Sequence, residues 1–220
     1  GADAMTHPRR AMDLALRVLH AWEADVPALA IREPWTRGPD ASPTLLPDPL
    51  LGVYVNLMER LAKRRVVGRL QPGEGLRGMV LDGERGGMLA VWNRSAGGEA
   101  AQPSLDLGGT PVAYDLWGNR RTPPVHDGEH RLDLRHDGEG AILFIEGIDP
   151  QLALMRSGFR IDPPFIPSLQ SPHDRTLSVH NPWSRAISGE FTIVGPRGWR
   201  TRPRRQHFSI APGATQRFPL

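Results

Sequence analysis

The sequence predicts a mainly β protein: two immunoglobulin-like β-sandwich domains in tandem, preceded by an N-terminal segment with two helices. Three observations lead to this prediction. The hydrophobic period changes from that of a helix to that of a strand after residue 65. Short apolar runs then alternate with turn residues, and the chain of 220 residues holds 24 Gly and 22 Pro. A second series of strands follows a Pro-rich break at 147–174. The predicted domains are 1–65, 66–148 and 149–220.

Two amphipathic helices are predicted in the first domain. Residues 6–25 place apolar side chains at three- and four-residue spacing behind Thr6, which can cap a helix. Residues 48–65 repeat this spacing behind Asp48, and the basic residues 63–65 suit the negative end of the helix dipole. Both segments therefore present one apolar face to a core.

Between the helices, residues 27–35 form a short apolar run that indicates a strand, and residues 36–49 form a Pro-rich connector. Six strand-length runs follow residue 65 and suggest an antiparallel β-sandwich. They are RVVGRL, GLRGMVLD, GMLAVWN, TPVAYDLWG, HRLDLR and GAILFIEG.

Alternation within these runs indicates which side chains face the core. HRLDLR places Leu132 and Leu134 inside, with charged neighbours outside. AILFIE is apolar at positions of both faces, which predicts a central strand. In the second series, Leu177 and Val179 share one face of TLSVHN.

Composition limits the function classes. The chain has no cysteine, which excludes disulfides and thiolate metal sites. No apolar run approaches the length of about 18 residues that a membrane span needs, and no signal peptide is visible. No phosphate-binding glycine loop or serine nucleophile motif is present, so we expect no catalytic residue, no cofactor and no metal. Because the chain begins with Gly, we expect a processed protein or an excised piece of a longer one.

The window 195–208 holds five arginines and raises the alternative of nucleic-acid binding. Pro196 and Pro203 interrupt it and Pro212 follows it, which does not suit a basic helix in a groove. The net charge of the chain is only +3. We therefore interpret the window as a solvated sheet edge and expect no nucleic-acid partner.

Residues 48–148 resemble the C-terminal region of bacterial glycoside hydrolases, in which the last helix of a TIM barrel leads into a β-sandwich. The resemblance lies in VVGRL, GLRGMVLD, GMLAVWN, the turn DLWGN and the closing strands HRLDL and AILFIEG. Residues 174–220 resemble the immunoglobulin-like module associated with α-galactosidases. The matching positions there are Asn181, Pro182, Gly189, Pro196, Gly198, Trp199, Pro212 and Gly213.

The resemblance implies that residues 6–47 correspond to the last units of the barrel, and that the catalytic carboxylates lie on earlier strands outside this chain. Glu33 follows the predicted strand at 27–35, where a barrel would place a functional group, but one acid without a partner cannot perform the reaction. Other acids, Glu74, Glu84 and Glu146, are predicted in turns or at strand ends.

The tetrapeptide HDGE occurs at 126–129 and again at 136–139. Its His, Asp and Glu residues could suggest a metal site, yet Asp-Gly is also a turn signal. A strand of roughly 20 Å would separate the two copies, which is too far for one ion. Two surface turns are the favoured interpretation.

Exposed Trp rings could stack on sugars, and Trp35, Trp183 and Trp199 are the candidates for glycan or domain contact because they lie near predicted loops. Packing at a domain seam is favoured over sugar contact for these loop residues, and Trp199 matches the second module's pattern at a position that is most simply interpreted as core. Trp92 and Trp117 are predicted in the core.

Three functions stay open at this point. The favoured one is a non-catalytic accessory region that braces the catalytic domain of a glycoside hydrolase and contacts glycan. The alternatives are a stand-alone glycan- or protein-binding module and a nucleic-acid binder, and a free-standing enzyme is the least favoured interpretation. The partners expected are a carbohydrate or an adjacent catalytic domain, and the resemblance favours a secreted, periplasmic or cell-surface location.

Overall fold

The computed structural model describes residues 7–31, 35–37, 45–93, 101–134, 142–163, 173–195, 200 and 202–220. The chain divides into two compact units, Gly1–Pro150 and Gln151–Leu220. Antiparallel strands dominate both units, so the prediction of a mainly β protein is confirmed. No helix in these described ranges has the length and hydropathy that a membrane crossing requires.

The first unit contains two helices and eleven strands within its described ranges. In chain order these are α1 His7–Glu23, β1 Trp35–Arg37, β2 Leu45–Pro47, α2 Leu50–Leu61, β3 Arg64–Leu70, β4 Leu76–Gly83, β5 Gly87–Asn93, β6 Ser104–Leu105, β7 Val112–Tyr114, β8 Arg120–Arg121, β9 Val125–His126, β10 Glu129–Arg131 and β11 Ile142–Ile148.

A six-stranded antiparallel sheet forms the centre of this unit, in the order β3-β4-β5-β11-β7-β8. The strand β11 lies between β5 and β7, which confirms the central position predicted from its apolar residues on both faces. A three-stranded sheet in the order β6-β10-β9 and the hairpin β1-β2 complete the strands described in the unit.

Helices α1 and α2 pack against one face of the six-stranded sheet. Alternate residues of β4, β5 and β11 supply that face, as period 2 requires, and the apolar stripes of the helices close over it. The fully buried members are Ala11, Ala15 and Leu19 of α1, Val53, Leu57 and Leu61 of α2, and Met79, Leu81, Met88, Ala90, Ile142 and Phe144 of the sheet.

Side chains of the opposite sheet face are equally buried. They include Val80, Leu89, Val91, Leu143 and Ile145. Leu132 and Leu134, which follow β10, are 1% and 0% exposed, so their predicted inward orientation is confirmed. Trp92 is 4% exposed and lies in the core as predicted, and Trp117 is partly buried against the same core.

The second unit has one helix that begins at its boundary and five strands among the described residues. They are α3 Pro150–Ser157, β12 Arg160–Asp162, β13 Thr176–His180, β14 Ile187–Thr192, β15 Arg205–Ile210 and β16 Thr215–Pro219. The sheets β12-β13-β16 and β14-β15 share one small core. Its buried members are Leu177, Val179, Ile210 and Phe218, which confirms the inward face predicted for β13.

Two predicted boundaries are wrong. Residues 27–31 are not in a strand, and the strand there begins at Trp35, after the undescribed residues 32–34. The helix predicted to run to residue 65 ends at Leu61, because Lys63 takes a left-handed backbone (φ 61°) and Arg64 already begins β3. Thr6, the predicted cap of α1, lies outside the described residues.

The two helices are also joined by an ion pair at the start of α2. Asp48 accepts a hydrogen bond from the backbone N–H of Leu50 at 2.9 Å, as predicted for a residue at a helix start. Its other oxygen accepts from Arg10 of α1 at 3.0 Å. The Leu50 N–H, with help from Arg10 and against the effect of burial, lowers the pKa of the Asp48 carboxyl.

Truncation of a core residue of α2 should destabilise the first unit. Leu57→Ala is expected to lower the free energy of unfolding by about 2–5 kcal/mol, because Leu57 is fully buried between α2 and the sheet. Val55→Ala is the matched control on the same helix, since Val55 is 54% exposed and its loss should change stability by no more than about 0.5 kcal/mol. Urea denaturation measures both, and equal effects would contradict the packing.

Asp48 should contribute a pH-dependent part of stability. Because its pKa is lower in the folded than in the unfolded protein, its contribution is present above the ordinary value of 3.8 and is lost as the pH falls through the folded value. The stability difference between the wild type and Asp48→Asn should therefore shrink as the pH is lowered from 6 to 2.

The matched control for Asp48 is Asp13→Asn. Asp13 is an exposed carboxylate of α1 that pairs with Arg17 at 2.9 Å, and exposed pairs contribute about 0–1 kcal/mol. Urea titrations at several pH values measure both variants. If the stability difference between the wild type and Asp48→Asn stays constant or grows as the pH falls, that result would contradict the lowered pKa of Asp48.

Candidate functional site

The tryptophans predicted as contact residues lie in separate parts of the chain. Trp35 is the first residue of β1 in the first unit and is 42% exposed. Trp183 follows β13 in the second unit, is half-buried, and donates its backbone N–H to the Asn181 side chain at 3.0 Å. Trp199 lies outside the described residues. Neither unit therefore combines two of the described candidates in one stacking surface.

The candidate acids have different surroundings in the structure. Glu33 lies outside the described residues, and Glu74 is exposed in the turn before β4. Glu84 is 72% exposed and pairs with Lys63 at 2.9 Å. Glu146 is different, since it lies in a buried polar cluster.

The first HDGE segment is a hairpin turn between β9 and β10, as predicted. Asp127 and Gly128 have φ values of 50° and 79°, the left-handed pair that a tight two-residue hairpin requires. The second copy at 136–139 lies outside the described residues. Within the part of the chain that the structure describes, no group of three or more His, Cys, Asp or Glu residues could hold a metal ion.

The α2 polar cluster consists of Asn56, Arg60, Arg64, Tyr114 and Glu146. The two guanidinium groups reach the two oxygens of Glu146: Arg60 lies 3.0 Å from Oε2 and Arg64 3.1 Å from Oε1. Arg60 also lies over the Tyr114 ring, 3.7 Å from its centroid, and donates to Asn56 at 3.2 Å. The arginine side chains are 10% and 1% exposed, so the cluster is buried.

Asn56 extends the cluster to the turn DLWGN at 115–119. Its amide donates to the backbone oxygens of Asp115 and Leu116, each at 3.1 Å. The Asp115 carboxylate in turn accepts from the backbone N–H groups of Trp117 and Asn119, both at 2.9 Å. The turn is thus held from within by Asp115 and from α2 by Asn56.

Arg64 extends the cluster to the turn between β4 and β5. It donates to the backbone oxygens of Gly86 at 3.0 Å and Arg85 at 3.1 Å, and also to that of Arg60. Burial lowers the pKa of the Arg64 guanidinium, with Glu146 acting against that effect. Arginine stays protonated in proteins, so the cluster holds two cations around one carboxylate. Such a group fixes geometry but offers no acid–base pair.

A cavity of about 440 Å³ lies on the other side of the six-stranded sheet. We name it the β8–β9 cavity, because the connection between these strands forms part of its wall. Its lining residues are Gln102, Ala113, Arg121, Thr122, Pro123, Pro124, Arg131, Leu132, Asp133 and Leu143.

Reasoning from the sequence missed the α2 polar cluster. The sequence pattern predicts that Arg64 lies at a helix end and neutralises the dipole, whereas its side chain is buried at the start of β3. A signal was nevertheless available: Asn56, Arg60 and Arg64 recur every four residues, directly beside the apolar stripe of the predicted helix. The cavity residues are scattered between positions 102 and 143 and show no such period.

Comparisons with known proteins give one weak structural similarity. No protein-family model matches the chain, and no curated protein matches it. A solved family 39 glycoside hydrolase from Bacteroides cellulosilyticus WH2 overlaps with a TM-score of 0.38 and 12% sequence identity. The overlap covers 47% of this chain and 20% of that one. This likeness to a glycoside hydrolase is coarse and assigns neither a family nor an activity.

Glu146→Gln tests the α2 polar cluster. The substitution leaves two buried guanidinium groups without a counter-charge, so it should lower the free energy of unfolding by about 3–5 kcal/mol. Glu84→Gln is the matched control, because it removes one member of an exposed pair and should cost about 0–1 kcal/mol. Chemical denaturation measures both, and equal small effects would show that Glu146 is not the centre of the cluster.

Proposed function

We propose that this chain is a non-catalytic accessory region of a carbohydrate-active enzyme, and that it braces a neighbouring catalytic domain. The resemblance of residues 48–148 and 174–220 to the ends of glycoside hydrolases supports the context. The tandem sandwich organisation and the immunoglobulin-like character of the second unit belong to the same proposal.

The observation that supports the bracing role most directly is the α2 polar cluster. A brace must keep its shape when it contacts a neighbouring domain. Helix α2 is bonded at three separate points to the sheet and its turns. It reaches β11 through Glu146, the turn at 115–119 through Asn56, and, through Arg64 just after it, the turn before β5. Hydrogen bonds of this kind are directional, so they fix the helix along its axis as well as against the sheet.

The helical side also offers apolar surface to a neighbour. Val55 of α2 is 54% exposed, and Val26 and Leu29, which follow α1, are 47% and 44% exposed. Such side chains suit contact with another domain of the same protein. These exposed side chains are the domain contacts that we assign to the brace.

The acids of the described residues support a non-catalytic role. Glycoside hydrolysis requires two carboxyl groups about 5–10 Å apart across the scissile bond. Glu146 is bound between two arginines, Asp48 is bound by Arg10 and a helix start, and Asp115 is bound within its turn. These acids serve the fold.

The bracing role is tested in the protein that joins this region to the sequence encoded upstream of it. Glu146→Gln is expected to lower the temperature at which glycosidase activity is lost by about 5–15 °C, because it weakens the brace. The turnover number at 25 °C should not change, and Glu84→Gln should change neither quantity.

Three results would contradict the proposal. Loss of turnover at 25 °C with unchanged thermal stability would make Glu146 part of an active site. Hydrolysis of aryl glycosides by this chain alone would make it an enzyme in its own right. A gene that encodes no catalytic domain beside this region would favour the second candidate, a stand-alone glycan-binding module, which the β8–β9 cavity supports.

A further inference from the structure

The β8–β9 cavity has an apolar floor. Ala113, Leu132 and Leu143 lie beneath it, each only 1% exposed, and the exposed Pro124 adds apolar surface in the wall. The three buried residues come from β7, from the residue after β10 and from β11, so the cavity lies where the three-stranded sheet meets the six-stranded one. Its volume of about 440 Å³ falls within the range of about 300–1,000 Å³ that is usual for small-molecule sites.

The rim of the cavity is polar and exposed. Gln102, Arg121, Thr122 and Arg131 belong to it, with the half-buried Asp133. A cavity with an apolar floor and a few converging hydrogen-bonding groups suits a ligand with one apolar face and several hydroxyls. A pyranose ring has these properties, because its C–H groups project from its faces and its hydroxyls from its edge.

The two rim arginines are held in place by neutral acceptors. Arg121 donates to the backbone oxygen of Asp133 at 2.8 Å, and Arg131 donates to the side-chain oxygen of Gln102. A guanidinium group has five N–H donors, so each of these contacts leaves donors for a ligand. The cavity lining carries two guanidinium groups against one carboxylate, Asp133, and so favours a negatively charged ligand.

We propose that the β8–β9 cavity binds a carboxylated sugar of the uronic acid class. Arg121 and Arg131 receive the carboxylate, for which the planar guanidinium fork is matched in geometry. The exposed Pro124 ring in the cavity wall receives a face of the sugar ring, and Gln102 and Thr122 accept and donate hydrogen bonds with its hydroxyls. The proposed function supplies only the carbohydrate class of this ligand, and bracing would remain if the cavity bound nothing.

Isothermal titration calorimetry of the intact chain with glucuronate and with glucose tests the site. These sugars differ in the carboxylate alone, so glucuronate should bind at least about tenfold more tightly if the arginines receive it. Arg121→Gln and Arg131→Gln should each weaken glucuronate binding by about tenfold and leave the weak glucose signal unchanged.

Arg120→Gln is the matched control, because Arg120 precedes Arg121 in β8 and does not line the cavity. It removes the same charge and should leave glucuronate binding unchanged. Thr122→Trp is the second variant, since a large ring on the rim should block the cavity and abolish binding without any change of charge. Thermal melting of each variant shows that it is folded.

Four results would overturn the proposal. Equal affinity for glucose and glucuronate would show that the arginines do not bind the carboxylate. Acetate or phosphate binding as tightly as glucuronate would reduce the site to a general anion site. An equal loss in Arg120→Gln would assign the effect to net charge. Absence of saturable heat with glucuronate in the folded wild type would show that the cavity is not a sugar site, while the brace would still be judged by its own experiment.

Discussion

The carboxylate of Glu146, placed between two buried guanidinium groups, is the contact on which the arrangement of the first unit depends. Its position follows from strand geometry: Glu146 lies two residues after Phe144, so it faces the same helices as that core residue. The strand then shifts register between Glu146 and Ile148, where Gly147 has φ 77°. A Cβ at Gly147 would lie 2.8 Å from the oxygen of Thr110, so the bulge beside Glu146 depends on glycine.

A buried ion cluster is a costly way to hold a helix, because charges lose hydration that well-packed apolar side chains never had. Its advantage here is that its bonds are directional and so restrict where the helix can lie. The apolar contacts of Leu57 and Leu61 would tolerate small sliding of α2 over the sheet. The bonds from Asn56 to the turn at 115–119 and from Arg60 to Glu146 allow one position along the strand. Specific placement, rather than added stability, is therefore the physical reason we assign to the cluster.

The sequence alone predicts the parts of this fold that follow from local periodicity. The spacing of apolar residues predicts the inward faces of HRLDLR and TLSVHN. It also predicts the central position of AILFIE and both helices of the first unit. The sequence does not predict where α2 ends, because basic residues at 63–65 are equally compatible with a helix terminus and with a buried cluster. The partners of Arg64 and the walls of the β8–β9 cavity lie tens of residues apart, and only the pairing of strands brings them together.

The two faces of the six-stranded sheet are closed in different ways, and this difference connects the two proposals. One face is covered by α1 and α2, whose apolar side chains share a core with it, and polar bonds fix the position of α2. On the other face, the described strands of the three-stranded sheet have two or three residues each, and Leu132 beside β10 lines the cavity together with Ala113 and Leu143 of the larger sheet. The β8–β9 cavity lies there, and the exposed Arg121 and Arg131 belong to its rim. The helical face with its directional bonds is the feature on which the bracing proposal rests, and the cavity on the strand face is the feature on which the ligand proposal rests.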